Sequence, residues 1–114
     1  MSRRDPLIRV HHMLGNAREA VNMVRGRSRN DLETDRMLNL ALVRLMEVIG
    51  EAAARVPADF QAGYNQVPWR DIADLRDRLI HGYDAINFDI FWTIIQDDLP
   101  PLIRHLESIV SEKT

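Results

Sequence analysis

From Met37 to Val56 the chain is apolar on more than one side of any helix it could form, and Pro57 ends the run. Leu38, Leu42, Leu45, Met46 and Ile49 recur at three- and four-residue steps, the spacing of a helix rather than the alternation of a strand. A helix this apolar belongs either at the centre of a bundle or on a face shared with another subunit. Gly50 sits inside it, at a local cost of about 1 kcal/mol relative to alanine. A residue that small is where a neighbouring helix could approach closely.

The same spacing extends to nearly the whole sequence. Asp5 as N-cap and Pro6 at the first helical position announce a helix through Leu7, Val10, Leu14, Ala17, Val21 and Val24, with Gly26 as its C-cap. Polar residues 27–31 read as a turn, and the central helix then begins between Asp31 and Asp35. Residues 57–67 read as a loop with one helical turn near Asp59–Tyr64, and Pro68 opens a short helix from Trp69 to about Ile80, broken at Gly82. Asn87 caps the last helix, which buries Ile90, Phe91, Ile94 and Ile95. Pro100 and Pro101 must end or kink it; Leu102 to Val110 resumes the period and residues 111–114 fray. The expected fold is all-α, one domain over residues 1–114: an up-and-down bundle of four main helices plus a short one.

Charge is unevenly spread. Residues 1–30 hold seven arginines against Asp5 and Glu19, whereas the rest has eight basic and fifteen acidic residues. A basic first helix could attract a polyanion, but a net charge of −2 is not that of a general nucleic-acid binder. Those arginines read better as a solvated face, or as partners of the acidic half. With no cysteine the chain has neither disulfides nor thiolate chemistry. No apolar run approaches the ~20 residues of a membrane span, and Arg9, His11 and His12 interrupt any secretory signal. The expected location is cytoplasmic.

One stretch concentrates reactive groups: Arg76-Asp77-Arg78-Leu79-Ile80-His81-Gly82-Tyr83. Arginine forks a phosphate through planar donors, and histidine moves protons near neutral pH. Together they suit metal-free RNA cleavage, with His81 as base or acid and Arg76 neutralising charge on phosphate oxygens. A helix advances about 100° per residue, which puts Arg76 and His81 on different faces. Asp77 and His81, four apart, share a face, so Asp77 could fix the imidazole tautomer from behind. The same letters also fit a plain helix end, with histidine favouring the dipole and glycine capping. One histidine does not easily serve as both acid and base, a difficulty a symmetric dimer removes.

This octet resembles the Arg-x4-His-x-Tyr signature of the HEPN superfamily, in particular the HepT toxin family. Three further segments resemble the family in order and spacing: Leu45-Met46-Glu47-Val48-Ile49-Gly50-Glu51-Ala52-Ala53, Val67-Pro68-Trp69-Arg70-Asp71-Ile72-Ala73 and Asp98-Leu99-Pro100. The resemblance implies a homodimer whose two protomers line one cleft, with Arg76 and His81 as the catalytic pair of a metal-independent endoribonuclease acting on tRNA or mRNA. It implies the toxin of a type VII-like toxin–antitoxin pair, in which a minimal nucleotidyltransferase antitoxin of the MntA type transfers AMP to Tyr83. An AMP group beside the groove would repel RNA. The other outcome consistent with the resemblance is a non-catalytic helical subunit that presents a substrate to such a nucleotidyltransferase. No metal or cofactor is implied.

Other residues read more plainly. His11 and His12 point to different sides of a helix without carboxylates at ligand spacing, and His105 reads as exposed. Glu47 or Glu51 is expected to pair with Arg44 or with an arginine of the signature. Trp69 reads as a core anchor, Met37 and Met46 as core fillers.

Overall fold

The computed structural model describes residues 5–81 and 85–114, with His81 described by its backbone only. Three long helices dominate: α1 (Pro6–Met23), α3 (Arg36–Ala54) and α8 (Leu99–Lys113). Shorter ones are α2 (Arg29–Thr34), α4 (Ala58–Ala62), α5 (Trp69–Ala73), α6 (Leu75–Leu79) and α7 (Phe88–Thr93). A π turn over Ile94–Asp98 joins α7 to α8, and two-residue strands β1 (Ile80–His81) and β2 (Ala85–Ile86) pair antiparallel. Helix α3 packs against α1, α5 and α6, and α1 in turn against α8. Leu42, Met46 and Ile49 of α3 are fully buried. Each contributes on the order of 1.5–3 kcal/mol by leaving water. The all-α bundle expected from periodicity is the fold observed.

Several boundaries move, each for a local reason. Helix α1 ends at Met23; Gly26, at φ +74°, follows in the left-handed conformation, and the Arg27 N–H donates to the Val24 carbonyl at 2.9 Å. The polar segment after it is helical, because Ser28 and Asp31 cap each other's backbone and Asp35 then caps α3. The helix from Trp69 bends at Asp74 and stops at Leu79, three residues before the expected break at Gly82, which lies outside the described residues. Residues 111–113 continue α8 rather than fray.

The prolines act through the π turn. The Leu99 N–H donates to the Ile94 carbonyl five residues back. Pro100 and Pro101 then occupy the first turn of α8, where a missing N–H costs little. The wider turn absorbs the ring clash that a continuous α-helix would suffer, so the chain is displaced without stopping.

Gly50 meets the expectation of a close approach. A Cβ on it would lie 3.0 Å from the Ile72 carbonyl oxygen and 3.1 Å from that of Ala73. Helix α5 therefore rests its last turn directly on α3. Met37 departs from expectation: it is 84% exposed, and Leu40 49%, whereas Met46 is fully buried. Met37 stands on the second residue of α3, on the arc turned away from Leu38 and Leu42.

Candidate active site

Helix α6 is one and a half turns long, and its position is set from both sides. Leu75 and Leu79 are fully buried. Arg76 and Arg78 leave the helix toward different neighbours. The Arg76 Nε donates to Glu47 Oε2 on α3 at 2.9 Å, and Arg44 Nη1 approaches the other oxygen, Oε1, at 3.6 Å. One carboxylate thus bridges two guanidinium groups, as expected for Glu47. Glu51 pairs instead with Arg55, at 3.6 Å. Arg44, Glu47, Gly50, Glu51, Ala73, Arg76 and Asp77 line an open cleft of about 390 Å³. The Arg76 side chain is 55% exposed and that of Glu47 30%, so water reaches the pair and it contributes no more than about 1 kcal/mol to stability.

The chain beyond Leu79 turns extended. Ile80 has φ −109° and ψ 122° and pairs with Ile86, His81 pairs with Ala85, and the Asn87 N–H donates to the Leu79 carbonyl at 2.8 Å. The backbone of His81 therefore lies in β1, not on a helix. Two sequence arguments fall with this. The four-residue helical spacing that placed Asp77 beneath His81 does not apply, and His81 is not the terminal residue of a capped helix. Asp77 itself is exposed and lines the Arg76 cleft. The His81 imidazole and the Tyr83 phenol lie outside the described residues.

Periodicity gave no sign of the hairpin, since strands of two residues show no alternation. Nor did it separate the roles of Arg76 and Arg78. Arg78 Nη2 donates to Asp98 Oδ2 at 3.1 Å, tying α6 to the end of the π turn. A second cleft of about 380 Å³ opens there, lined among others by Asp71, Arg78, Asp97, Asp98 and His105. His105 is half-buried in that wall, not exposed.

Three arginines of the basic amino-terminal segment form ion pairs. Arg18 binds Glu107 at 2.7 Å, Arg27 binds Asp35 at 2.6 Å, and Arg29 binds both Glu33 at 2.8 Å and Asp89 at 2.6 Å. These arginines join elements of the bundle; Arg3 and Arg4 lie outside the described residues. His11 and His12 are exposed, and no cluster of three potential metal ligands occurs among the described residues. Trp69 is buried as expected and donates its Nε1 to the Tyr64 carbonyl at 3.1 Å. The Tyr64 phenol donates to Glu112 Oε1 at 2.6 Å. That hydrogen bond, more than partial burial, holds its pKa above the ordinary 10.0.

The sequence that builds this cleft has relatives. The sequence model of the family described as ribonuclease HepT-like matches residues 13–109. The chain belongs to this HepT-like family. A protein of Methanocaldococcus jannaschii named "Putative RNase MJ0127" is 34% identical over 112 residues, covering 98% of this chain and 93% of that protein. One from Caldanaerobacter subterraneus, "Putative RNase TTE0752", is 35% identical over 104 residues, covering 91% and 93%. The "Probable ribonuclease HepT" of Thermococcus cleftensis is 34% identical over 79 residues, covering 69% of this chain and 72% of its own. No solved structure matches significantly. No helix among the described residues is long and apolar enough to cross a membrane.

Proposed function

We propose that this HepT-like chain is a homodimeric, metal-independent endoribonuclease with Arg76 and His81 as its catalytic pair. The observation that carries this reading is the placement of Arg76. It is held on the wall of an open cleft, on a helix that delivers the backbone within two residues to His81. In the reaction, His81 takes the proton of a ribose 2′-OH as that oxygen attacks the adjacent phosphorus. The 5′-oxygen leaves and takes up a proton, and a 2′,3′-cyclic phosphate remains. Arg76 forks the phosphate oxygens as charge gathers on them. The second proton transfer falls to His81 of a second copy.

Helix α3 supports the dimer. Met37, Leu40, Arg44, Glu47 and Glu51 fall within an arc of about 80° at 100° per residue, so an exposed apolar ridge runs straight into the cleft. In this reading the substrate is tRNA or mRNA and the protein is the toxin of a two-component system. Its cognate nucleotidyltransferase adds AMP to Tyr83, and the added phosphate repels RNA from the groove.

RNA cleavage by the purified protein should persist in EDTA, leave a cyclic phosphate and vanish in His81→Ala. Co-expression with the nucleotidyltransferase should add AMP-sized mass increments that Tyr83→Phe removes. Light scattering should give a dimer that Met37→Asp with Leu40→Asp dissociates. A second reading has an observation of its own. Three carboxylates, Glu47, Glu51 and Asp77, outnumber two guanidiniums in the cleft, a net negative lining that repels a polyanion. That balance favours a non-catalytic subunit that binds a nucleotidyltransferase. Protein that cleaves no RNA yet binds that partner would establish this reading instead.

A further inference from the structure

Glu47 is an electrostatically adverse neighbour for an arginine that is to bind phosphate. A carboxylate beside a phosphate site repels the ligand, and the bridge is too water-exposed to be needed for folding. Its geometry suggests a different use. The contact from Arg76 to Glu47 is made by Nε, at the base of the guanidinium plane. Arginine carries five N–H donors in a rigid fork, and four of them belong to the η-amino groups. Fixing Nε orients the plane and leaves the η edge as the one on which an incoming phosphate can be forked.

The acid is itself well fixed. Glu47 projects from the middle of α3, within a turn of the Gly50 contact that seats α5, so acid and arginine ride on elements locked to one another. Arg44 Nη1 engages the second oxygen, Oε1, so neither carboxylate oxygen lacks a cationic neighbour and its repulsion of phosphate is offset. An unrestrained arginine at this exposure would give up several side-chain rotations each time it met the phosphate. Preorganisation removes that cost where it affects rate, in the transition state.

We propose that Glu47 is a positioning residue for RNA cleavage: it holds the Arg76 guanidinium by Nε in the orientation that receives the scissile phosphate. The proposal rests on the ribonuclease reading. Glu47→Gln retains shape but gives only a neutral acceptor; Glu47→Asp retains the charge on a shorter arm. Glu47→Gln should lower kcat about 10-fold with KM within about twofold, since the lost interaction acts on orientation and not on ground-state binding. Glu47→Asp should recover part of that loss, and both variants should unfold at the parent's temperature. In ¹⁵N-labelled protein the Arg76 Nε–H resonance, assigned by its loss in Arg76→Lys, should be slow to exchange in the parent and fast in Glu47→Gln.

A parent that cleaves RNA, an inactive Arg76→Ala and a Glu47→Gln of parental kcat would overturn the positioning role and leave the nuclease reading standing. An equal rate increase in both Glu47 variants would likewise overturn it, by showing that the acid restrains the arginine from acting. A parent with no cleavage on any RNA overturns both. An unchanged Arg76 Nε–H in Glu47→Gln shows that the hydrogen bond does not hold the guanidinium, and defeats the proposal whatever the activity.

Discussion

Helix α6 sends two arginines, two residues apart, into clefts of similar size with contrasting designs. On one side Arg76 meets a carboxylate carried by the longest helix among the described residues and is 55% exposed. On the other, Arg78 meets Asp98 at the end of a distorted turn, and the two side chains are 37% and 36% exposed. The first pair is bound to a rigid support and open to solvent, the arrangement suited to an incoming ligand. The second joins α6 to the end of the π turn. An arginine's role is therefore told by what carries its partner and not by the partner's charge, since both partners are carboxylates.

That contrast is broken most severely by exchanging the effects of the two residues. Arg76→Ala should reduce RNA cleavage by about 100- to 1,000-fold, while chemical denaturation shows a stability change below about 1 kcal/mol. Arg78→Ala should do the reverse, costing about 1–2 kcal/mol as Asp98 loses its half-buried partner, with a smaller loss of cleavage. If Arg78→Ala is the inactive, stable variant, the assignment of the two clefts is inverted.

The sequence made the first of these clefts legible and left the second obscure. Glu47, Gly50 and Arg76 are readable because regular helices convert spacing into direction, and because the segments around them resemble one family in the same order. Asp98 was visible only as part of Asp98-Leu99-Pro100, with no hint that it meets Arg78, since a π turn changes the direction of every later side chain. His81 was misplaced for a related reason. Ile80 has a residue's worth of β preference, but only pairing with Ile86, six positions on, ends the helix at Leu79. Met37 reads as core because a one-dimensional apolar pattern does not tell a buried face from an exposed one.

A subtler test addresses the support under the Arg76 cleft. Gly50→Ala should destabilise by about 1–3 kcal/mol, because the new methyl meets backbone carbonyls that cannot rotate away, and cleavage should fall with it as α6 shifts. Gly15→Ala is the matching control: nothing lies within 4 Å of its Cβ, so the same change on α1 should stabilise by about 0.5–1 kcal/mol. Thermal melts of the two variants should move in opposite directions.

The smallest effect concerns the N-cap of α3. The Leu38 backbone N–H and then the Arg27 guanidinium hold the Asp35 carboxyl below its ordinary value of 3.8. A depressed folded-state pKa gives stability that is present above pH 3.8 and is lost as pH falls through the lower folded value. Asp35→Asn should accordingly lower stability modestly at neutral pH and flatten the acid end of the curve, so that variant and parent converge as pH falls through the folded value, as read by melts across that range.

The π turn has a consequence for how this chain could vary in length. It holds one residue more than a regular helix would between α7 and α8, and a residue is worth about 100° of rotation. Deleting any one of positions 94–98 would restore the regular helical count and press the Pro100 and Pro101 rings against the carbonyls of the preceding turn. The phase of the final helix would not change, since the residue removed is the one the wide turn absorbs, and Leu102, Leu106 and Ile109 would still face the interior. A one-residue deletion at this joint thus keeps the final helix in phase, at the cost of the room the two prolines occupy.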